Sequence, residues 1–323
     1  MRSRSPWAPP AVPFTAADVH RSHEFLHRAI RDGIITRLRR GVYIATTAVP
    51  DDAAGQHLLQ AMALQRSTVG LVASHETAAL GLGLRTPSDF APDRAEPRFV
   101  KAPQPGDRST KRPRCALRPI PRGHITTLPS GLTVTSAART AVDIAAEQSL
   151  PEALVTVDHV LRIHTVELIG ERRIRQGVPV RVGQAAMEPM YIAAEVATPR
   201  GRRGRVAQTL AVANPARESA TESLSAGYFF ASDLPQPNIQ FPIMTDEEVF
   251  YADFAWPEFG VIGESDGLGK YQGEEVARER DREEKLRELG WVVVRWLYRD
   301  IVRRPGWVIE MVRRALRAGD WRG

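Results

Sequence analysis

The sequence predicts a multidomain chain of mixed α/β and α+β class, and three observations carry that expectation. Near the N-terminus a helical stretch runs into a short arginine-rich hairpin, the pattern of a small winged helix. Through the middle, short apolar pieces alternate with helical segments, as in a mixed α+β domain. Toward the C-terminus a helix, a strand, an acidic hairpin, a charged helix, an apolar strand and a last helix follow one another, as in an α/β core. At 323 residues the chain exceeds one typical domain. The expected units are residues 1–50, 51–205 and 206–323.

Composition narrows the class. Hydrophobic content of 43% and charged content of 25% are ordinary for a globular protein. No stretch approaches a membrane span and the opening MRSRSPWAPPAVPF lacks the apolar core of a signal peptide, so a cytoplasmic protein without membrane contact is expected. Cys115 is the single cysteine, which excludes an internal disulfide and a cysteine-based zinc site. The net charge of +6 is unevenly spread: residues 1–50 hold 8 basic and 3 acidic side chains, residues 212–323 hold 15 and 20. A basic front suits attachment to phosphates, although 40 arginines against 4 lysines is also what the coding bias of a GC-rich genome produces.

Residues 1–13 carry Pro6, Pro9, Pro10 and Pro13 and read as an extended segment that does not pack. A helix is expected from Thr15, its N-cap, to Arg31, with Val19, Phe25, Leu26, Ala29 and Ile30 as partial apolar faces and Asp32-Gly33 as its end. IITRLRRGVYIAT then gives two strands around a wing-like tip bearing Arg37, Arg39 and Arg40. Those arginines either contact nucleic acid or guard a sheet edge against pairing. Helices are expected at 51–65 and 74–84, the second capped by Ser74, with His75-Glu76 open to acid–base or structural use. Short strands joined by polar turns fill 85–122. Thr135 or Ser136 caps a helix, and Pro151 opens another, with Asp143 and Asp158 as functional or packing groups. PRGRRGR (199–205), with Arg202 and Arg203, is either a phosphate clamp or a linker at a domain boundary.

Ser219 caps the next helix, on which Glu218 and Glu222 stand four apart, and NIQFPIM reads as a strand. VFYADFAW (249–256) is rich in aromatic and β-branched residues, PEFG is turn chemistry and VIGESDG is a second short strand. Pairing Trp256 with Val261 fixes the register and sets Asp253 opposite Glu264. Cross-strand neighbours lie about 5 Å apart, and like charges so placed destabilise the pair. Alternation puts Glu264 and Asp266 on one face. Three carboxylates then converge, a hard oxygen set suited to Mg²⁺ or Mn²⁺. Acids also line solvated hairpins, but in the run Val-Ile-Gly-Glu-Ser a half-buried strand more simply holds an apolar residue at Glu264. A charged helix at 273–289, an apolar strand WVVVRWL and a helix from Trp307 to Leu316 complete the order.

DGIITRLRRGVYIAT resembles the N-terminal winged helix of AbiEi-family antitoxins, the antitoxin half of type IV toxin-antitoxin systems. That resemblance implies DNA binding through Arg37, Arg39 and Arg40, autoregulation, and a cognate toxin as partner. SATES (219–223), YADFAWPE (251–258), VIGESDGLGKY (261–271) and REEKLRELGWVVVRW (282–296) together resemble the very-short-patch-repair-like endonuclease domains of the restriction-endonuclease fold. They imply a metal-dependent nuclease core in which Asp253 and Glu264 bind metal, Asp266 stands beside them and Glu222 is the helix-borne acid.

Lys270 is placed to stabilise phosphate charge or orient water, or else is a loop lysine in solvent. The chain departs from the pattern in two ways. Many nucleases of this fold carry Lys two residues after the Glu, where Asp266 stands, and no His follows Gly267. Two functions are therefore expected in order: a metal-dependent DNA endonuclease or nickase targeted by a winged helix, and a non-enzymatic antitoxin-type regulator with an inactive nuclease-like domain.

Overall fold

A computed structural model describes residues 7–104, 114–245, 249–266 and 282–323. The chain is of mixed α and β structure, with three sheets among the described residues. It divides into two compact units, Met1–Ile144 with Ile192–Thr198, and Ala145–Tyr191 with Pro199–Gly323.

In the first unit, the expected single helix from Thr15 to Arg31 is two helices, Ala16–Val19 and His23–Arg31. His20 turns left-handed at φ 50° and ends the first, and the Ser22 hydroxyl accepts from the Phe25 N–H to start the second. Asp18 accepts from the Thr15 N–H at 2.7 Å, so Thr15 does open the first helix. Strands β1 (Ile35–Arg39) and β2 (Val42–Ala45) form the expected antiparallel hairpin, with a one-residue irregularity between Arg37 and Arg39. Contrary to expectation the described part of the proline-rich start, from Trp7 on, packs: the Trp7 ring meets Phe25 edge-on at 5.0 Å, and the Pro10 carbonyl accepts from the Ala45 N–H. Pro13 and Phe14 are buried in the same stretch.

The Ala53–Ser67 helix, capped by Asp52, and the His75–Gly81 helix accompany a five-stranded sheet. Its order is β5 (Arg114–Leu117), β4 (Arg98–Lys101), β3 (Val72–Ala73), β7 (Thr133–Thr135), β6 (Ile125–Thr127). Phe99, Cys115, Leu132 and Val134 bury one apolar cluster with Ala61 and Ala78. The lone thiol is therefore a core group. Glu76 is held by Arg98 at 3.0 Å and Asp143 by Arg139 at 3.0 Å, both largely out of solvent. Ser136 caps the Ala137–Glu147 helix by accepting from the Arg139 N–H.

The second unit is built on a four-stranded sheet ordered β11 (Val292–Leu297), β10 (Val261–Asp266), β9 (Val249–Trp256), β8 (Asn238–Met244). β8, β9 and β10 run antiparallel in turn, and β11 lies parallel to β10. A parallel neighbour needs a crossover, and the helical segment 282–288 lies on that connection. On one face Phe229, Phe254, Trp256 and Trp296 pack with the Ala220–Phe230 and Pro305–Ala318 helices. On the other, Leu286 closes over Ile243, Ala255 and Ile262. Gly227 lets the Leu150–Ile169 helix approach, since a Cβ there would meet the Pro151 backbone at 2.4 Å. PRGRRGR is no open linker: a 3₁₀ turn and the Arg203–Val212 helix absorb it, with Val206 and Leu210 buried.

Among the described residues no helix is long and apolar enough to cross a membrane.

Candidate functional site

The hairpin register follows the turn. Trp256 pairs with Val261, Ala255 with Ile262 and Phe254 with Gly263, as the sequence predicts. Alternation puts Glu264 on the face of Ile262, covered by Leu286, whereas Phe250, Ala252 and Ala255 all join that cluster, so strict alternation breaks in β9 beside Asp253. Both carboxylates line one cleft of about 400 Å³, together with Arg175, Glu218, Gln240, Phe250, Tyr251 and Arg282.

Each acid is fixed by specific partners. Asp253 Oδ2 accepts from the Ser265 backbone N–H and from its hydroxyl, both at 2.9 Å. Glu264 is 7% exposed and its Oε1 takes the Arg282 Nη2 at 3.1 Å. Glu222 enters from the first turn of the Ala220–Phe230 helix, where the Ser219 hydroxyl caps its N–H. Its Oε2 accepts from the Glu218 N–H at 2.8 Å, so Glu218 precedes the helix and does not share a helical face with Glu222 as the spacing had suggested. Burial, and then the neighbouring negative charge of Asp253, push the Glu222 carboxyl up to about 7.

Gln240 was missed by sequence reasoning. It stands in β8 at φ 50°, an unusual left-handed conformation for a non-glycine residue, and is 7% exposed. Its amide lies 3.5 Å from Glu222 Oε2 and 3.4 Å from Asp253 Oδ1, long contacts that place an N–H between two acids. A polar residue inside the run NIQFPIM was its only signal. Arg175, also missed, donates to Glu218 at 2.9 and 2.8 Å and lies over the Tyr251 ring at 5.8 Å. It belongs to a segment expected in the middle domain, so linear spacing concealed it.

Asp253 and Glu264 are thus brought to one cleft, and Glu222, outside its lining, neighbours Asp253 through Gln240. Asp266 ends β10, but its side chain lies outside the described residues, as does Lys270. Of the charged helix, only 282–288 is described, and there Glu283 pairs with Arg287. Arg202 and Arg203 are exposed and do not line the cleft. Arg37 and Arg40 are exposed on the β1–β2 hairpin and Arg39 is half-buried.

Among the described residues no three acidic, His or Cys side chains form a complete metal cage. The donor set nevertheless fits a hard divalent cation. Asp253 and Glu264 offer carboxylate oxygens at one cleft, the hard donor type that such a cation takes.

No family model matches the chain. Two uncharacterized proteins of Mycobacterium tuberculosis, from strains CDC 1551 and H37Rv, are each 33% identical to it over 191 residues. The match covers 58% of this chain and 63% of each relative, so the chain aligns with less than two thirds of their length.

Proposed function

We propose that the chain is a divalent-metal-dependent DNA endonuclease or nickase, targeted by an N-terminal winged helix. The observation that carries the reading is the convergence of Asp253 and Glu264 from adjacent strands on one cleft, with Glu222 behind them pushed up to about 7. The order helix, β8, β9, β10, helical segment, β11 is in keeping with the nuclease core that the SATES, YADFAWPE and VIGESDG resemblance implies.

Asp253 and Glu264 would hold Mg²⁺ or Mn²⁺. Bound there, such a cation supplies Lewis acidity toward a phosphoryl oxygen and toward water. Ser265 fixes the Asp253 carboxylate, and Gln240 orients Asp253 and Glu222 toward each other. Glu222 Oε2 is engaged by the Glu218 N–H, which leaves Oε1 to exchange a proton near neutral pH. Arg175 and the exposed hairpin arginines Arg37 and Arg40 meet phosphates of the DNA backbone.

The test is plasmid cleavage with Mg²⁺ or Mn²⁺ by wild type, Asp253→Ala and Glu264→Ala. Nicking or linearisation by wild type that both substitutions abolish is the expected result. An inert wild type that binds DNA tightly and in a salt-sensitive way would sink the enzyme.

Two observations favour a second reading. Arg282 already neutralises Glu264, and Asp266 stands where a lysine is usual. On that reading the chain is a non-enzymatic antitoxin-type regulator that binds DNA, and a cognate toxin, through an inactive nuclease-like domain.

A further inference from the structure

Arg282 lies in the helical segment 282–288, and Leu286, one turn on, is fully buried against Ile243, Ala252, Ala255 and Ile262. Residues four apart share a helix face, so the packing that buries Leu286 also points Arg282 at the sheet. Its guanidinium lies over the Phe250 ring at 5.3 Å, and its Nη2 meets Glu264 Oε1 at 3.1 Å. The Glu264 side chain is 9% exposed and that of Arg282 is 25% exposed. Both line the cleft that also holds Asp253.

A guanidinium and a divalent cation cannot share this carboxylate oxygen without strong repulsion, because the pair is partly withdrawn from water. We propose that Arg282 is an exchangeable counter-ion of Glu264: it neutralises the carboxylate in the metal-free cleft and must leave it for a divalent cation to bind. This rests on the nuclease reading above and assigns that site a built-in control over the metal concentration at which it fills. Arg282 is suited to the exchange. Its long side chain reaches Glu264 from a helix anchored elsewhere, and the guanidinium already lies over the Phe250 face, a contact it can keep when it releases the carboxylate. A purely structural ion pair behaves oppositely: removing its arginine disorders Glu264 and weakens metal binding.

The experiment is calorimetric titration of Mn²⁺ into the metal-free full-length chain, comparing wild type, Arg282→Gln, Arg282→Lys and Glu264→Gln. Arg282→Gln is expected to bind Mn²⁺ roughly tenfold more tightly than wild type. Arg282→Lys, which keeps charge but loses the planar guanidinium stacked on Phe250, is expected to shift the same way by less, and serves if the glutamine variant does not fold. Glu264→Gln abolishes the binding. Unchanged or weaker Mn²⁺ binding in the arginine variants, with the Glu264→Gln loss intact, overturns the counter-ion and leaves the nuclease reading standing. Absence of Mn²⁺ binding by folded wild type and variants alike overturns the nuclease reading, and the counter-ion with it.

Discussion

Ser265 holds Asp253 twice: the carboxylate Oδ2 accepts both the backbone N–H and the side-chain hydroxyl of this one residue, each at 2.9 Å. The hairpin register makes this possible, because Phe254 opposite Gly263 leaves Asp253 beside the strand stretch that carries Glu264 and Ser265. The backbone bond survives any side chain at 265, whereas the hydroxyl bond does not.

Ser265→Ala therefore removes half of the clamp. Stability is expected to fall by about 1 kcal/mol in urea denaturation, the usual worth of one hydrogen bond. On the nuclease reading, cleavage falls by roughly tenfold or more because Asp253 loses its fixed orientation. Unaltered cleavage kinetics in Ser265→Ala would show that the clamp does not position Asp253.

Glu222 sets a pH dependence. Its carboxyl is about 7 in the folded chain against an ordinary value of 4.5, so the native state binds the proton more tightly than the unfolded state. Its contribution to stability is fully present below 4.5 and is lost as pH rises through about 7. Wild type should lose stability between pH 5 and 8, and Glu222→Gln should flatten that slope while still accepting from the Glu218 N–H. Chemical denaturation at several pH values checks it. Parallel profiles for the two proteins would remove Glu222 as the source.

Gly263 is a packing requirement of the sheet. A Cβ at this position would meet the Trp296 ring at 2.7 Å, and Trp296 is 1% exposed, with its indole N–H donated to Ser225 at 2.8 Å. The ring has no room to withdraw without breaking that bond. Gly263→Ala is expected to cost about 1–3 kcal/mol, the range for overpacked cores. Thermal or urea unfolding measures it, and an alanine variant as stable as wild type would show that the strand pair yields more readily than this.

The arginine-rich hairpin is testable apart from the cleft. If Arg37 and Arg40 contact phosphates, replacing both by Ala weakens duplex DNA binding uniformly across sequences. The slope of log affinity against log salt then shrinks by roughly 1 for each lost contact. Fluorescence anisotropy over a salt series reads this directly, and an unaltered slope would assign these side chains to edge protection instead.

Much was legible in the sequence because it was local. Turn chemistry at 257–260 set the register of β9 and β10 from Trp256–Val261 to Phe254–Gly263, the strand stretch that precedes Asp253 and Glu264 at the cleft. Apolar patterning gave β8, β11 and the helices from Ala220 and Pro305, and Ser219 and Ser136 announced their helices by capping. Local chemistry failed where a distant contact overruled it. Trp7 folded a proline-rich start onto Phe25, and burial of Val206 and Leu210 turned an arginine–glycine run into a helix.

What only the tertiary structure decided is the company each acid keeps. Gln240 sits between Glu222 and Asp253 through a left-handed backbone turn that no period-two pattern encodes. Arg175 reaches the cleft from a segment 78 residues before Asp253 in the chain. Arg282 reaches Glu264 because Leu286 anchors its helix to the sheet. Hydrogen-bond patterns and side-chain alternation run along the chain and can be read from it. The electrostatic balance of a buried cleft depends on which charges the fold brings within a few ångströms, and that is settled by packing between elements far apart in sequence.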